Sequence, residues 1–545
     1  MSHHTLRKKI KPDNLSRLFK FDRAIWHGNK PSRSLLGVSI VIALIMTLPL
    51  LYVIYQSFLA GSESWMRLLD TRIPQLLWNT LSLGIAVTLT STFIGVSLAW
   101  LVTRTDLPGR RIWRWLLALP LVVPPYVGAV TYIIVLGPRG WLYQAIQAAY
   151  GNDFSLTFDI YSFYGVFLVM TLFTYPYVYL VTSASLRKIS QTYEEVGRSL
   201  GYNGFHIFFK IILPMLVPAI GAGGVLVFLY VISDFGAVSM LRYVTFTSAI
   251  YYQRAGFDIP SASVLSLVLI GITVIVLLIE KLMKQKKAYY QTKGIAKESR
   301  TLSLGKYKHI SLFYVVFLFL ISVALPIIVL VYWTMIGAGS GLIDSSIFEY
   351  TLNSFQIAGA TAGLSMILSV PLVYLYSRHH SIVSSLIYKL SYTGYALPGV
   401  IVALGLVFVF NNHIPFLYNT VFLVIIAQLI RFMPQVLQSG ETAMNMISPR
   451  IDESARSLGH STWKVIFFIT LPAILPGLLA GGALVFVSSL KELPVTLMLR
   501  PPGFDTLAIR VYYQASEAIY AQAAPGALII ILVSILPLYY LLKNY

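Results

Sequence analysis

The stretch EEVGRSLGYNGFHIFFKIILPMLVPAI, Glu194 to Ile220, returns 258 positions later as DESARSLGHSTWKVIFFITLPAILPGL, Asp452 to Leu478. Glu194 and Glu195 pair with Asp452 and Glu453, Gly201 with Gly459, Leu213-Pro214 with Leu471-Pro472, and Pro218 with Pro476. A repeat of this kind bears on architecture before any element is assigned, because each copy marks the same place in one structural unit. The segment opens polar and charged, inside a chain that is otherwise apolar. That pattern predicts a membrane protein with two copies of one docking loop.

Composition sets the class. The chain is 57% hydrophobic and 11% charged over 545 residues, whereas a soluble domain carries about 25% charged residues. Most of it has no water to face. The run Ser34 to Ala60 is too long for the apolar core of a signal peptide and reads as a first span. Twelve spans are predicted, roughly at 34–59, 79–103, 112–136, 161–186, 211–233, 261–283, 309–336, 352–377, 386–411, 416–440, 471–490 and 522–543. Lipid cannot satisfy backbone groups, so spans of this length are helices. The predicted fold is an all-α polytopic membrane protein of about 12 transmembrane helices in two parallel six-helix repeats. The expected domains are a basic arm at 1–33, a first six-span domain at 34–283, a basic linker at 284–308 and a second six-span domain at 309–545.

The net charge of +20, from 41 Lys+Arg against 21 Asp+Glu, would suggest nucleic-acid binding in a soluble protein. Here the charge lies in blocks beside apolar spans: nine Lys/Arg in Met1–Arg33 and nine in Lys281–His309. The positive-inside rule then places both blocks, and both termini, in the cytoplasm. The partner implied is the lipid bilayer rather than nucleic acid. Segment 14–26 reads as an interfacial helix. Arg104, Arg110 and Arg111, and in the second half Arg378, His379 and His380, fall in loops on that same side. On the other side, Gly137–Ile160 sets Arg139 against Asp153 and Asp159, and Gly339–Glu349 has two acids and no Lys or Arg. The chain has no cysteine, which excludes disulfides and thiolate metal sites.

The duplication reaches further. Trp78-Asn79-Thr80 parallels Leu352-Asn353-Ser354, and Pro124 parallels Pro398, both at an offset of 274. Asp234 parallels Glu492 and Arg242 parallels Arg500 at 258, and Tyr251-Tyr252-Gln253 parallels Tyr512-Tyr513-Gln514 at 261.

Within the loop, Thr192 and Glu195 are spaced like a capping box. Val196 and Leu200 share a helix face, and Gly201 suits a left-handed stop. A second short helix is predicted over 205–212, ended by Pro214. Ser448, Ile451, Ala455, Leu458 and Gly459 repeat the design. A charged face with a small apolar knob suits a groove on a soluble partner. An ordinary amphipathic loop at the membrane surface is the competing reading, and two copies at matched spacing argue against it.

The pattern Glu-x-(Ala/Val/Ser)-x-x-x-Gly followed by Leu-Pro resembles the "EAA" loop of bacterial ATP-binding-cassette importer permeases. From about Ser34 to the end, the chain is similar to two fused permease domains of type I importers. Ser233–Gln253 (SDFGAVSMLRYVTFTSAIYYQ) and Leu490–Gln514 (LKELPVTLMLRPPGFDTLAIRVYYQ) resemble the ferric-iron permeases of that group. The triplets here read Glu195-Val-Gly and Glu453-Ser-Ala, so only the glutamate and the later glycine follow the pattern. The resemblance implies that Glu194, Glu195, Gly201, Leu213 and Pro214, with Asp452, Glu453, Gly459, Leu471 and Pro472, couple the chain to two copies of an ABC ATPase subunit. It also implies a periplasmic or extracellular substrate-binding protein and a place in the bacterial inner membrane. No G-x-x-x-x-G-K-[ST] occurs, so this chain is expected to bind no cofactor, with ATP and Mg held by the partner ATPases, and not to be an enzyme itself.

Ionisable groups near the membrane need reasons. Asp234 and Glu492 close the fifth span of each half, where carboxylates would suit a hard cation. Helix termination, or ion pairs with Arg242, Lys491 or Arg500, is the plainer reading and the one favoured. Tyr251, Tyr252, Tyr512 and Tyr513 are candidates for the same pathway, against an aromatic belt at the headgroups. No metal site of the protein's own is expected. His206 and His460 lie in or beside the docking helices, a surface the transported ion would not meet, and His3, His4, His379 and His380 lack partners at ligand spacing. The function expected is a permease for ferric iron, with thiamine, sulfate and phosphonate permeases sharing the loop. The alternative is an ion-coupled secondary transporter of 12 spans, which the lack of mid-span acids disfavours. A membrane enzyme is a third class, and no nucleophile–base set supports it.

Overall fold

The computed structural model describes residues 30–151, 158–190, 192–285 and 302–543. Most of the basic arm, segment 14–26, most of the basic linker and Asp153 lie outside the described residues. Helices of the first half include α1 Arg33–Leu59, α2 Ile73–Arg104, α3 Arg110–Leu116, α4 Pro125–Leu136, α5 Phe163–Lys188, α6 Thr192–Ser199, α7 Leu213–Ser233, α8 Gly236–Met240, α9 Phe246–Ala255 and α10 Ile259–Gln285. Those of the second half include α11 Lys308–Phe319, α12 Leu325–Gly339, α13 Ser346–Arg378, α14 Ile382–Ser391, α15 Gly399–His413, α16 Val421–Asn445, α17 Pro449–Ser457, α18 Leu471–Leu490, α19 Pro494–Leu499, α20 Leu507–Ser516 and α21 Tyr520–Lys543. Among the described residues there is no strand, only an isolated bridge between Thr105 and Leu302.

Ten of the predicted spans are helices long and apolar enough to cross a bilayer. The other two, predicted at 112–136 and 386–411, are broken. In the first half the segments Arg110–Val122 and Pro125–Tyr150 meet at 92°. Val123 and Pro124 are extended there, because a residue before proline is pushed out of the helical region and Pro125 then opens the next helix. In the second half Pro398 is the extended residue ahead of α15. The matched prolines therefore mark a joint rather than a mid-span kink.

A second difference concerns the prolines of the repeat. Pro214 does not end a short helix. The chain runs helically from Phe208 through Ser233, with a π-turn at Phe208–Ile212 just before Leu213-Pro214. The same turn occurs at Ile466–Thr470 before Leu471-Pro472, and at Leu320–Ala324 before Leu325-Pro326. A proline removes one N–H from the helical ladder, and a wider turn on its N-terminal side absorbs the lost bond without breaking the rod.

Two compact units divide the chain otherwise than its sequence halves do. One gathers residues up to Leu48, Ala360–Tyr395 and Leu429–Phe486. The other holds Pro49–Gly359, Ala396–Gln428 and Val487–Tyr545. Within the first unit, α1 lies against the second half: Trp463 Nε1 donates to Ser34 Oγ at 3.0 Å and Thr393 Oγ1 to the Met46 carbonyl at 3.1 Å. Within the second unit, α11 and the π-turn after it lie against the first half. Tyr314 and Ser97 share a hydrogen bond of 2.8 Å, and Tyr132 donates to the Ile321 carbonyl at 2.6 Å. The first span of each half thus packs on the other half.

Small residues set the closest helix crossings. A Cβ on Gly223 of α7 would sit 2.9 Å from Val178 Cα of α5, and one on Gly481 of α18 would sit 2.8 Å from Val436 Cα of α16. These are matching positions, in separate units, and in lipid such close approach is the main source of helix association.

Candidate functional site: the repeat loops and their anchors

Each repeat loop is a short helix closed by a glycine. In the first copy, Thr192 N donates to Ser190 Oγ at 3.3 Å, so Ser190 rather than Thr192 caps the start of α6. Gly201 has φ +79 and Tyr202 N returns to the Gly197 carbonyl at 3.0 Å. In the second copy, Gly459 has φ +84 and His460 N returns to the Ala455 carbonyl at 3.3 Å. Both are the left-handed ending that glycine favours.

The two acids of each copy have different fates. Glu194 and Asp452 are buried, whereas Glu195 and Glu453 are exposed. Glu194 Oε1 lies 3.1 Å from Arg104 Nη1, an ion pair without hydrogen-bond alignment. Arg104 Nη2 also donates to the carbonyls of Leu186 at 2.7 Å and Ile189 at 2.8 Å, closing the C-terminus of α5. In the second copy Arg378 Nε donates to Asp452 Oδ2 at 2.5 Å, and its Nη2 to the Ile447 carbonyl at 3.0 Å. Thr470 Oγ1 adds a hydrogen bond to Asp452 Oδ1 at 3.2 Å. Arg378 follows Arg104 by the offset of 274, and Ile447 follows Ile189 by that of 258. The last residue of the second span in each half therefore ties its repeat loop to the fourth. Sequence reasoning read both arginines as loop charges. The recurring offset was the available signal.

Exposed on α6 and just past its end are Tyr193, Glu195, Val196 and Leu200, and on α17 and just past its end Ile451, Glu453 and Leu458. Leu200 is 68% exposed and Leu458 80%, large values for leucines beside a folded surface. Leu213 and Leu471 are half-buried at the start of the returning helices, Pro214 is half-buried and Pro472 is exposed. His206 Nδ1 lies 2.8 Å from Asn203 Oδ1, and His379 is buried with its Nε2 3.4 Å from Arg456. Arg456 also donates to Tyr374 OH at 2.9 Å.

At the far end of the fifth spans, Asp234 and Glu492 both accept hydrogen bonds from backbone. Asp234 Oδ1 accepts from Ala237 N at 2.9 Å and Val238 N at 3.3 Å. Glu492, 4% exposed, accepts from Val495 N at 3.1 Å and Thr496 N at 3.0 Å. Each carboxylate thus sits at the N-terminus of a short helix, α8 or α19, where orphan donors and the helix dipole favour it. Lys491 Nζ donates to the Leu121 carbonyl at 2.9 Å, beside the joint of the broken span. Arg500 pairs with Asp505, which Arg510 Nε also meets at 2.6 Å, while Arg242 lies over the Tyr161 ring.

Tyr251 and Tyr512 meet on Phe235, with ring centroids 4.8 and 6.1 Å from it, and Tyr512 OH shares a 2.8 Å hydrogen bond with Ser239. Tyr252 and Tyr513 are exposed. The Asn-Thr and Asn-Ser repeats find their purpose here. Asn79 Nδ2 donates to the Val244 carbonyl and Asn353 Nδ2 to that of Asp505, both at 3.0 Å. Thr80 Oγ1 and Ser354 Oγ accept from the N–H groups of Phe246 and Leu507, at the starts of α9 and α20.

A family profile described as "Binding-protein-dependent transport system inner membrane component" matches residues 91–289 and again 364–542. The chain belongs to that family. It is a multi-pass membrane permease subunit, and membership implies a substrate-binding protein and ATPase partners. The fold is that of a type I importer permease with its domain present twice, and the ion-coupled secondary transporter is set aside. The chain is 34% identical to the Fe(3+)-transport system permease protein FbpB 2 of Haemophilus influenzae, over 93% of this chain and 97% of that one. It is 23% identical to the ferric transport system permease protein FbpB of Actinobacillus pleuropneumoniae, over 93% of this chain and 77% of the other. The sulfate transport system permease protein CysT of Salmonella typhimurium is 27% identical over 44% of this chain and 88% of its own length.

Proposed function

We propose that this chain is the permease of an importer for ferric iron, driven by ATP bound with Mg on two copies of a separate ATPase subunit. The first permease domain is 34–283, the linker 284–308 and the second 309–545, with both termini and both repeat loops in the cytoplasm. Substrate reaches the opposite face on a periplasmic or lipid-anchored binding protein. The relatives named for ferric transport, aligned over nearly the whole chain, support the cargo.

The observation that carries the coupling role is the paired loop geometry. Two short helices, each pinned from behind by a buried arginine–carboxylate pair, expose one glutamate and one leucine beside a left-handed glycine. In this reading Glu195 and Glu453, with Leu200 and Leu458, enter a groove on an ATPase. Glu194 and Asp452 hold the helices in place, Gly201 and Gly459 shape their ends, and Leu213-Pro214 and Leu471-Pro472 return the chain to the membrane.

The test is uptake of labelled ferric iron by vesicles carrying the complete complex. The double variant Glu195→Lys with Gly459→Asp is expected to abolish uptake while the chain stays in the membrane. Uptake is expected to survive collapse of the proton gradient as long as ATP is present. Normal uptake by the double variant would refute the coupling assignment.

A further inference from the structure

The second half carries a cluster of oxygen donors that the coupling role does not use. Tyr388 of α14 donates from its hydroxyl to Glu441 Oε2 of α16 at 2.5 Å. The same hydroxyl lies 3.3 Å from Tyr392 OH and 3.4 Å from the Leu437 carbonyl. Tyr376 of α13 stacks on the Tyr388 ring, with centroids 4.1 Å apart and planes 6° from parallel, which fixes the ring. Tyr388 is buried, while Tyr392 and Glu441 are half-buried. Two phenols and a carboxylate thus converge between α14 and the C-terminal part of α16.

The first half serves as an internal control. Tyr376, Tyr388 and Tyr392 correspond at the offset of 274 to Val102, Arg114 and Ala118, and Glu441 corresponds at 258 to Ser183. Pro176 and Pro434 lie at matching places in α5 and α16, so the register is secure. The same fold is therefore built once without any of these groups. Phenol–carboxylate bonding is not what holds α14 against α16 as a matter of architecture.

The chemistry of the set is that of a hard-cation site. Phenolate and carboxylate oxygens are ligands for highly charged ions of low polarisability, and tyrosine is an established iron ligand in proteins. We propose that Tyr388, Tyr392 and Glu441 form a binding site for a hard trivalent cation in the second half of the chain alone. Its identification with the cargo, ferric iron, rests on the function proposed above. On binding, each phenol releases its proton to water and the oxygen takes its place on the ion. Iron stays ferric throughout, so no electron donor is needed. The site shares its helices with the loop anchor: Tyr376 lies two residues before Arg378 on α13, and α16 leads from Glu441 into the helix of Asp452. Occupancy would thus bear on the helices that hold α17.

The test uses the full-length chain purified in mild detergent and titrated with ferric nitrilotriacetate. The expected result is a visible phenolate-to-iron charge-transfer band that saturates. Tyr388→Phe with Tyr392→Phe should remove the band. Glu441→Gln, which keeps the shape and an acceptor for Tyr388, should raise the half-saturating concentration by about tenfold or more. Tyr539→Phe, on the exposed side of α21, should leave the titration unchanged. Vesicle uptake of ferric iron is measured in parallel. Uptake without a band, or a band that survives the double tyrosine variant or is unmoved by Glu441→Gln, overturns the site and leaves the cargo reading standing. A band with the expected variant pattern but no uptake overturns the cargo and supports the site. Absence of both overturns both.

Discussion

Arg378 Nε and Asp452 Oδ2 stand 2.5 Å apart, with only 8% and 5% of the two side chains exposed. Two charges so deeply withdrawn from water are tolerated because each completes the other and Arg378 also closes the carbonyl of Ile447. Removing one partner strands the other, at a cost of roughly 3–5 kcal/mol. Asp452→Ala should therefore destabilise the second repeat loop far more than Glu453→Ala, whose side chain is exposed. Thermal unfolding of the purified complex, read by loss of ATPase co-elution, checks this. Equal midpoints for the two variants would contradict it.

Gly201 and Gly459 have positive φ, and open space where a Cβ would go. Any penalty for substitution is then conformational, about 1–2 kcal/mol for an ordinary L-residue. Gly459→Val should weaken ATPase binding, and Gly459→Asn should largely retain it, because asparagine tolerates this region. Affinity of the ATPase for the detergent-solubilised permease is the measurement. A valine variant that binds as tightly as the asparagine variant would remove the backbone argument.

Gly223 and Gly481 differ in kind. Their missing Cβ atoms leave room for backbone at 2.9 and 2.8 Å. Gly481→Leu forces α18 off α16, an overpacking cost of about 1–3 kcal/mol or more. The level of folded chain in the membrane, assayed by size-exclusion after extraction, should fall, whereas Gly271→Leu, with nothing within 4 Å, should be tolerated.

The linker returns to a defined anchor. Leu302 N donates to the Arg104 carbonyl at 2.8 Å, Asp106 N to the Leu302 carbonyl at 3.0 Å, and Leu304 N to Asp106 Oδ1 at 2.8 Å. The Leu304 N–H, with Lys308 nearby, holds the Asp106 carboxyl below the usual carboxylate range. A lowered folded-state value means that the contribution is complete above the ordinary carboxylate pKa and is lost as pH falls through the depressed one. Hydrogen exchange at the Leu304 amide should stay slow from neutral pH down past the normal aspartate range and then accelerate. Asp106→Ala, which removes the acceptor, should make it fast throughout.

Much of this was legible in the sequence, for a reason visible in Gly201 and Gly459. A residue chosen for backbone conformation leaves its mark at one position and one type. The spans were legible because lipid demands long apolar runs. Glu194 and Asp452 were not separable from Glu195 and Glu453, since adjacent acids look alike until a helix turns one inward by about 100°. Arg104 and Arg378 were hidden by the same feature that placed them, their position at a charged membrane edge. Pro214 was misread as a stop because a π-turn upstream restores the ladder, and no single residue type announces that turn. Asp234 and Glu492 are read from the sequence as serving helix ends or ion pairs, and each carboxylate accepts from two N–H groups at the start of a short helix.

The exchange of first spans between the halves bears on dissection of the chain. Trp463 reaches Ser34, and Tyr314 reaches Ser97. Fragments 1–285 and 302–545, expressed together, should co-purify and retain uptake. Either fragment alone should be degraded, because its partner covers apolar surface it cannot bury by itself.

The anchors of the two loops are alike in plan and unlike in part: glutamate on arginine in one, and the shorter aspartate, steadied by Thr470, in the other. A permease assembled from two identical polypeptides must carry every mutation in duplicate. A single gene holding both copies is free of that bond, so each handle can drift on its own, and the two loops need not be gripped with equal strength.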